Sequence, residues 1–373
     1  MKENWTYKKL GEVCDVKTGK LDANASDENG LYPFFTCSKE PLRINTYSYD
    51  AECILVAGNG DLNVKYYNGK FDAYQRTYII TLKNGITDIS VRYLYCFFLL
   101  YVETLRKKSI GGVIKYIKLG DITDAKVHIP SLSEQQRIVS ELDLLQSIID
   151  KQQAQLKELD NLAQSIFYDM FGDPVENKKG WAKRPLQAIC ERITDGSHFS
   201  PKEDPEGKIP MLSVKDMGSN GFIYDKCKFI NETDYAVLVA NGCRPSYNDV
   251  LVAKDGSYLK TAFVLKEEIE QAILSSIAIL KPKTDTVCPD YLAFFFKIPQ
   301  TKLVVERHYL TGTAIKRVIL KGFKELQLIL PPMTLQQSFA KKIHATEKQK
   351  ANISKSIKET QKLFDYTMDK YFG

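Results

Sequence analysis

After Pro130, and again after Pro331, the chain settles into a long amphipathic pattern. Ile138, Leu142, Leu145, Ile149, Gln152, Leu156, Leu159, Ala163, Ile166 and Met170 alternate four- and three-residue spacing. That is the seam of a coiled coil, sustained over several heptads. The same frame 201 residues on gives Phe339, Ile343, Thr346, Lys350, Ile353, Ile357, Thr360, Phe364, Thr367 and Tyr371, with polar residues in nearly half the slots. Ser133 with Gln136, and Thr334 with Gln337, have the spacing of a capping box at each helix start. A helix from Glu134 to Phe171 would be about 57 Å long. One such seam alone would expose a long apolar stripe, so the two helices are expected to pack on each other. The plainer alternative is two separate surface helices, one on each domain. An antiparallel pair would hold the preceding regions at opposite ends of a rigid rod.

Ahead of each helix the pattern is mixed. Cys53–Ala57, Thr77–Leu82 and Val127–Ile129 are short apolar and β-branched runs bounded by Gly, Asn, Asp or Pro, and read as strands. Val250–Ala253, Ile277–Leu280 and Leu326–Leu330 read the same way. Val91–Lys107, rich in Tyr, Phe and Leu and basic at its end, reads as a buried helix, with Tyr291–Lys297 as its counterpart.

These parallels are a tandem duplication. Leu10-Gly-Glu-Val-Cys14 returns as Leu186-Gln-Ala-Ile-Cys190, offset 176; Ile54–Ala57 as Val250–Ala253, offset 196; Tyr93-Leu94 with Phe97-Phe98 as Tyr291-Leu292 with Phe295-Phe296, offset 198. Ile129-Pro130 with Gln135-Gln136 returns as Leu330-Pro331 with Gln336-Gln337, and Phe171-Gly172 as Phe372-Gly373, both at 201. Most of the extra length of copy two enters before Val250. Two long copies point to two domains related by a pseudo-two-fold rather than a solenoid. Trp5 and Trp181 each precede the Leu-x-x-x-Cys motif and read as core or edge aromatics.

Composition narrows the class. Of 373 residues, 44% are hydrophobic and 26% charged, as in a folded globular protein. The longest apolar run, Tyr93–Val102, is far short of the ~18 residues needed to span a bilayer. Residues 1–20 are polar and charged, unlike a signal peptide. Eight scattered cysteines without a CxxC pair, and four histidines, argue for free thiols in a reducing cytoplasm and against structural zinc. The net charge of +6 permits a polyanionic partner without requiring one.

Ile129-Pro-Ser-Leu-Ser-Glu-Gln-Gln-Arg-Ile138 and Leu330-Pro-Pro-Met-Thr-Leu-Gln-Gln337 resemble the Pro-Pro-Leu-x-Glu-Gln helix entry of type I restriction–modification specificity subunits. The junction Phe167-Tyr-Asp-Met-Phe-Gly-Asp-Pro174 followed by Gly180-Trp181 is similar to that family's passage into its second domain. Asp195-Gly196-Ser197-His198 resembles its Asp-Gly-x-His; copy one has Gly19-Lys-Leu-Asp22 there, and copy two has Leu335 for the helix-entry Glu. The fold class expected is α+β. Two mixed α/β target-recognition domains, residues 1–133 and 173–334, are each followed by a helix, 134–172 and 335–373, and the helices pair as an antiparallel coiled coil. The resemblance further implies a non-catalytic subunit whose two domains each read half of a bipartite double-stranded DNA target. It would dock two adenine-methyltransferase subunits, then restriction/translocase subunits. S-adenosylmethionine, ATP and Mg would sit on those partners, with no cofactor, metal or membrane on this chain.

Catalytic motifs are missing where the reading needs them missing. There is no phosphate-binding G-x-x-x-x-G-K-[ST] loop and no Asn/Asp-Pro-Pro-Tyr adenine-methylation motif; Leu330-Pro-Pro-Met333 lacks the polar residue. The Glu-x-Lys in Asp204-Pro-Glu-Gly-Lys208 reads as a solvated loop, and His128, inside an apolar strand, as a hydrogen-bonded structural residue. DNA contact needs Lys/Arg for phosphates and Arg, Asn, Gln, Ser or His for base edges. The candidates in copy one are Lys65, Tyr66, Lys70, Gln75, Arg76 and, in the basic stretch Arg106–Lys118, Lys115. In copy two they are Ser197, His198, Lys215, Lys254, Ser257, Lys260, Arg307, Lys316 and Arg317, with His308 beside Arg307. Gly111–Lys115 and Gly312–Lys316 fall at one repeat position, each pairing glycine with a basic residue before the final strand. The lysines from Lys341 to Lys370 suit a solvated or protein-docking face. Helix pairing is assigned to Ile138, Leu142, Leu145, Ile149, Leu156, Leu159, Phe339, Ile343, Ile353, Ile357 and Phe364. Two other classes stay open: a catalytic methyltransferase–nuclease component of a related modification system, and a coiled-coil adaptor that never touches DNA. A silent or phase-variable subunit of the same family is a third reading.

Overall fold

The computed structural model describes residues 6–313 and 316–373; Trp5, and Ala314 and Ile315 within the Gly312–Lys316 stretch, lie outside the described residues. Two compact units result, residues 1–154 with 353–373, and residues 155–352. They are called unit 1 and unit 2.

In unit 1 the run Cys53–Ala57 is the buried half of the strand Tyr49–Ala57. Its side chains alternate between two cores, as the two-residue period of a strand demands. Ile54 and Val56, with Ile80, pack under the helix Val91–Lys108 against Tyr93 and Phe98. Cys53 and Leu55, with Ile79, meet Phe35 and Phe71 on the opposite face. Covering both faces is why this strand is apolar without interruption. The six-stranded sheet runs Cys14–Thr18, Thr77–Leu82, Tyr49–Ala57, Val64–Ala73, Tyr32–Phe35, Leu42–Ile44. A separate antiparallel pair, Thr6–Lys9 with Lys126–Ile129, leads to the first long helix. There the ring of His128 lies 3.6 Å from that of Tyr7, and its carbonyl accepts from Tyr93 Oη at 3.0 Å.

Unit 2 repeats the plan. Val250 and Val252 face Tyr291 and Phe295, while Leu251 and Ala253 face Leu212, Phe263 and Ile277. Tyr291 Oη donates to the carbonyl of Ile329 at 2.8 Å, the counterpart of the Tyr93 bond. The added length before Val250 builds the sheet Lys228–Ile230, Ile209–Leu212, Ala272–Ile273 and the helix Glu232–Ala240, which share a small core of Met211, Ile230, Tyr235 and Leu238. Asp204–Lys208 lies in a loop and turn beside them. Trp181 is half-buried at the edge of the unit 2 core, its Nε1 donating to Phe171 O at 2.9 Å.

The long helices span Leu132–Phe171 and Met333–Phe372, 40 residues each. The expected capping boxes do not form, because both helices start earlier. Ser131 Oγ accepts from Glu134 N at 3.4 Å, and Thr334 already lies inside the second helix. The inward glutamine of each Gln-Gln pair is the first one. Gln135 and Gln336 are fully buried and bind the backbone of the preceding region. Gln135 joins Asp88 O, Pro130 O and Ser90 N; Gln336 joins Pro331 O and Cys288 N.

Within unit 1 the helix segments run antiparallel. Arg137 donates to Tyr371 Oη at 2.8 Å and Gln152 to Ser356 Oγ at 2.7 Å. Ile138, Leu142, Leu145 and Ile149 are buried; Phe364, Ile353 and Ile357 are half-buried. Unit 2 shows the same sense, with Asp160 and Lys350 at 2.7 Å and Phe167 and Phe171 both against Phe339. Phe339, Ile343 and Thr346 are buried there, while Leu156 and Leu159 are half-buried. The seam corrects at one end. Ile166 and Met170 are only half-buried and Phe167 and Phe171 take the core positions. A 3.6-residue turn drifts against a 3.5-residue repeat, and here the helix packs on Tyr291 and Phe294 as well as on its partner helix.

Candidate nucleic-acid interface

In each unit, loops from four chain segments gather at one end of the main sheet, held by the same backbone bonds. In unit 1, Gly19 N donates to Thr77 O, Gly58 N to Arg76 O, Ile117 N to Gly58 O and Gly60 N to Lys115 O. In unit 2 the equivalents are Gly196 N to Ile277 O, Lys254 N to Ser276 O, Val318 N to Lys254 O and Gly256 N to Lys316 O. Every bond has its counterpart. This alignment makes Thr18-Gly19-Lys20-Leu21 the equivalent of Asp195-Gly196-Ser197-His198. The glycine is shared because a Cβ would lie 2.1 Å from Ala73 O or Ile273 O.

In unit 1 the gathered loops form an open cleft lined by Asn59, Tyr74, Arg76, Ile114 and Tyr116. Arg76, Gln75 and Lys115 are exposed there, and Gln75 Nε2 reaches Asp22 Oδ1 at 2.7 Å. The loop Ile110–Tyr116 closes on itself through two backbone bonds, with Gly111 at φ 116°. Its tip presents Val113 and Ile114 to solvent. The other three unit 1 candidates differ. Tyr66 is a correction: its ring packs on the core, Oη donates to Glu52 at 2.8 Å, and burial pushes the phenol up to about 12. Lys65 is half-buried, donates to Asn63 Oδ1, and burial lowers its pKa. Lys70 is exposed but lies six positions beyond Val64 on the strand Val64–Ala73, about 20 Å further along, over the Tyr47 ring.

In unit 2 an enclosed ion cluster underlies the loops. Lys254 Nζ lies 3.2 Å from Asp195 and 3.4 Å from Asp255, and its side chain is only 6% exposed. Lys254 is therefore removed from the phosphate contacts: leaving two carboxylates uncompensated would cost more than a surface contact returns. Ser197 is removed likewise, since it is buried and its hydroxyl is spent on Phe199 O and N. His198 remains, 79% exposed, with Nε2 3.4 Å from Asp195. Ser257, Lys260, Lys316 and Arg317 are exposed on the converging loops. Lys215 joins them on the turn Val214–Asp216, which Val214 N ties to Ser276 Oγ at 3.1 Å. Arg307 is exposed in the last turn of the helix Pro299–His308, just before the strand that pairs with Arg317–Val318. Sequence reasoning missed Asn59; Tyr74 lay in the candidate segment Tyr74-Gln75-Arg76, Val113, Ile114 and Tyr116 in the stretch Arg106–Lys118, and Asp195 in the Asp-Gly-x-His resemblance, without a role of their own. The repeat position of Gly111–Lys115 was the signal that linked this end of the sheet in both copies.

A surface of this kind can bind a polyanion and offer side chains to base edges. The described residues hold no group of three or more His, Cys, Asp or Glu placed to bind a metal, and no helix long and apolar enough to cross a membrane. The eight cysteines are free thiols.

Comparison with known proteins gives the family. The model of the type I restriction modification DNA specificity domain matches residues 2–161 and 178–362. The EcoDI specificity subunit of Escherichia coli is 41% identical over 156 residues, covering 42% of this chain and 34% of that subunit, so the match spans about a third of that relative. The MjaIX specificity subunit of Methanocaldococcus jannaschii is 24% identical, covering 77% of this chain and 69% of its own. The crystal structure of a type I restriction–modification S subunit from M. genitalium has a TM-score of 0.62 at 16% identity over 99% of this chain and 96% of that one, a likeness of fold. The duplicated heads, the two helix entries and the matched model lead to one assignment: the chain belongs to the type I restriction–modification DNA specificity family.

Proposed function

We propose that the chain is the non-catalytic specificity subunit of a type I restriction–modification complex and reads an asymmetric, bipartite double-stranded DNA target in the cytoplasm. Residues 1–133 and 173–334 serve as its two target-recognition domains, and 134–172 and 335–373 as the helices that set their spacing. Two methyltransferase subunits and the restriction/translocase subunits dock on it and carry S-adenosylmethionine, ATP and Mg. One observation carries this reading: the Gly60–Lys115 and Gly256–Lys316 bonds bring a basic loop to the same end of the same sheet in both units. Lys115 and Lys316 recur at one position, but around them Gln75, Arg76 and Tyr116 stand where unit 2 has Ser275, Ser276 and Arg317, so the half-sites differ. Their centres should lie about 34–36 Å apart, one helical turn.

Methylome sequencing of cells carrying the chain with its methyltransferase tests this. The expected motif has two unlike halves around an unspecified spacer. A palindromic or uninterrupted motif refutes the assignment. In the purified complex, Arg76→Ala and Arg317→Ala should each weaken DNA binding and lower the salt slope by about one.

A further inference from the structure

The duplication supplies an internal control for one cavity. In unit 1, the Arg92 guanidinium lies 4.6 Å from the Tyr66 ring centre and 5.2 Å from that of Tyr95, and pairs with Asp143 on the first long helix. Register carries these positions into unit 2. Ile54 faces Tyr66 and Ile80 as Val250 faces Val264 and Leu280, so Val264 stands where Tyr66 does. The paired bonds of Tyr93 and Tyr291, and of Gln135 and Gln336, then place Asp290 for Arg92, Ala293 for Tyr95, His344 for Asp143 and Lys297 for Leu99. Both rings are absent and the acidic side chain changes sides, with Asp290 Oδ1 2.9 Å from His344 Nε2. A cavity of about 240 Å³ remains.

Its apolar lining includes Ala262, Val264, Ala293, Phe294 and Ile343. Around this stand charges of both signs. Lys266 is 3.4 Å from Asp290, and Lys297 has Asn220 Oδ1 at 3.5 Å while Asn220 bonds Glu347. Enclosure holds the Lys297 ammonium below the usual lysine range, against the pull of Glu347. An anion would meet Asp290 and Glu347, a cation would meet Lys266 and Lys297, and a saturated hydrocarbon would satisfy neither. A phenol suits all of them, because its face takes an ammonium and its hydroxyl bonds a carboxylate. The volume admits one ring, since ~150 Å³ already holds benzene. We infer that this cavity is an anchor pocket for a tyrosine side chain of a docking partner protein, whose ring fills the space that Tyr95 fills in unit 1. The inference rests on the reading that partner subunits dock on this chain, and aromatic anchors in such pockets commonly dominate docking energies.

The test begins with the purified full chain and p-cresol, followed by ligand-observed NMR, with cyclohexanol as the saturated control. Wild type should bind p-cresol saturably at millimolar concentration and bind cyclohexanol several-fold more weakly. Ala293→Tyr, which installs copy one's own residue, should lose p-cresol binding and melt no lower than wild type; Val264→Tyr is the second filling variant should the first not fold. Filled variants that bind p-cresol as wild type does, or a wild type that binds none, overturn the pocket. In the second arm, assembly with the methyltransferase should weaken about tenfold in the filled variant. Unchanged assembly overturns the anchor role. A wild-type chain that assembles with no methyltransferase refutes the specificity-subunit reading, while its p-cresol response still reports on the pocket.

Discussion

Replacing Gln336 by Leu isolates what the helix-entry motif does physically. Its side chain makes two bonds of 2.8 Å in fully buried surroundings, donating to Pro331 O and accepting from Cys288 N. Leucine preserves much of the volume but strands a carbonyl and an N–H where water does not reach. At ~1–3 kcal/mol for each unpaired group, unit 2 should lose about 2–6 kcal/mol. For a unit of this size each kcal/mol corresponds to ~2–4 °C, so a loss near 3 kcal/mol lowers its melting temperature by about 6–12 °C. Hydrogen exchange supplies the local readout: the Cys288 amide should exchange on the order of 100-fold faster. Gln336→Glu keeps the acceptor but loses the donor and buries a charge, and should do no better. Gln135→Leu should cost less, about 1–3 kcal/mol, because Ser90 N and Asp88 O are only partly buried and water can replace the amide. A Gln336→Leu chain that melts within about 1 °C of wild type, with unchanged exchange at Cys288, would refute the reasoning.

Lys254→Ala should destabilise unit 2 by ~3–5 kcal/mol in urea titrations, since it leaves Asp195 and Asp255 without their enclosed cation; a surface phosphate contact would instead give normal stability and weaker DNA binding. Gly196→Ala should be no better tolerated, because its methyl meets Ile273 O, and circular dichroism melts will show whether the loop can yield. Burial pushes Cys14, Cys53, Cys96 and Cys190 up to about 12. The folded chain keeps these protons where the unfolded chain releases them, so stability should fall progressively between pH ~9 and ~12. At pH 8, maleimide labelling followed by mass spectrometry should find partly exposed Cys37 modified first.

The elements legible from sequence are those buried on two faces or repeated. Cys53–Ala57 and Val250–Ala253 announce themselves because neither side of the strand can be polar. Val64–Ala73 does not: Asn68-Gly69 looks like a turn, yet Gly69 sits mid-strand at φ 134° opposite Ala51. The site was legible in part through its basic and polar loop residues, such as Arg76 and His198, and most directly through the duplication, which marked Gly111–Lys115 and Gly312–Lys316. Nothing local tells that Lys254 meets Asp195 or that Tyr66 turns inward, since both depend on contacts between distant segments. The same holds for Phe167 and Phe171, which a strict heptad count places off the seam by one residue.

Unit 1 is built from two stretches of chain separated by the whole of unit 2. Met368 and Tyr371 are buried in the same core as Tyr93 and Ile138. On the ribosome, therefore, the first unit begun is completed after the second has been synthesised. Until residues 353–373 arrive, the nascent first unit exposes the apolar face they cover, and the long sequence separation makes that closure slow. A premature stop or proteolytic nick near residue 352 would damage unit 1 while sparing unit 2. Completion of that unit thus depends on synthesis of this whole stretch of chain.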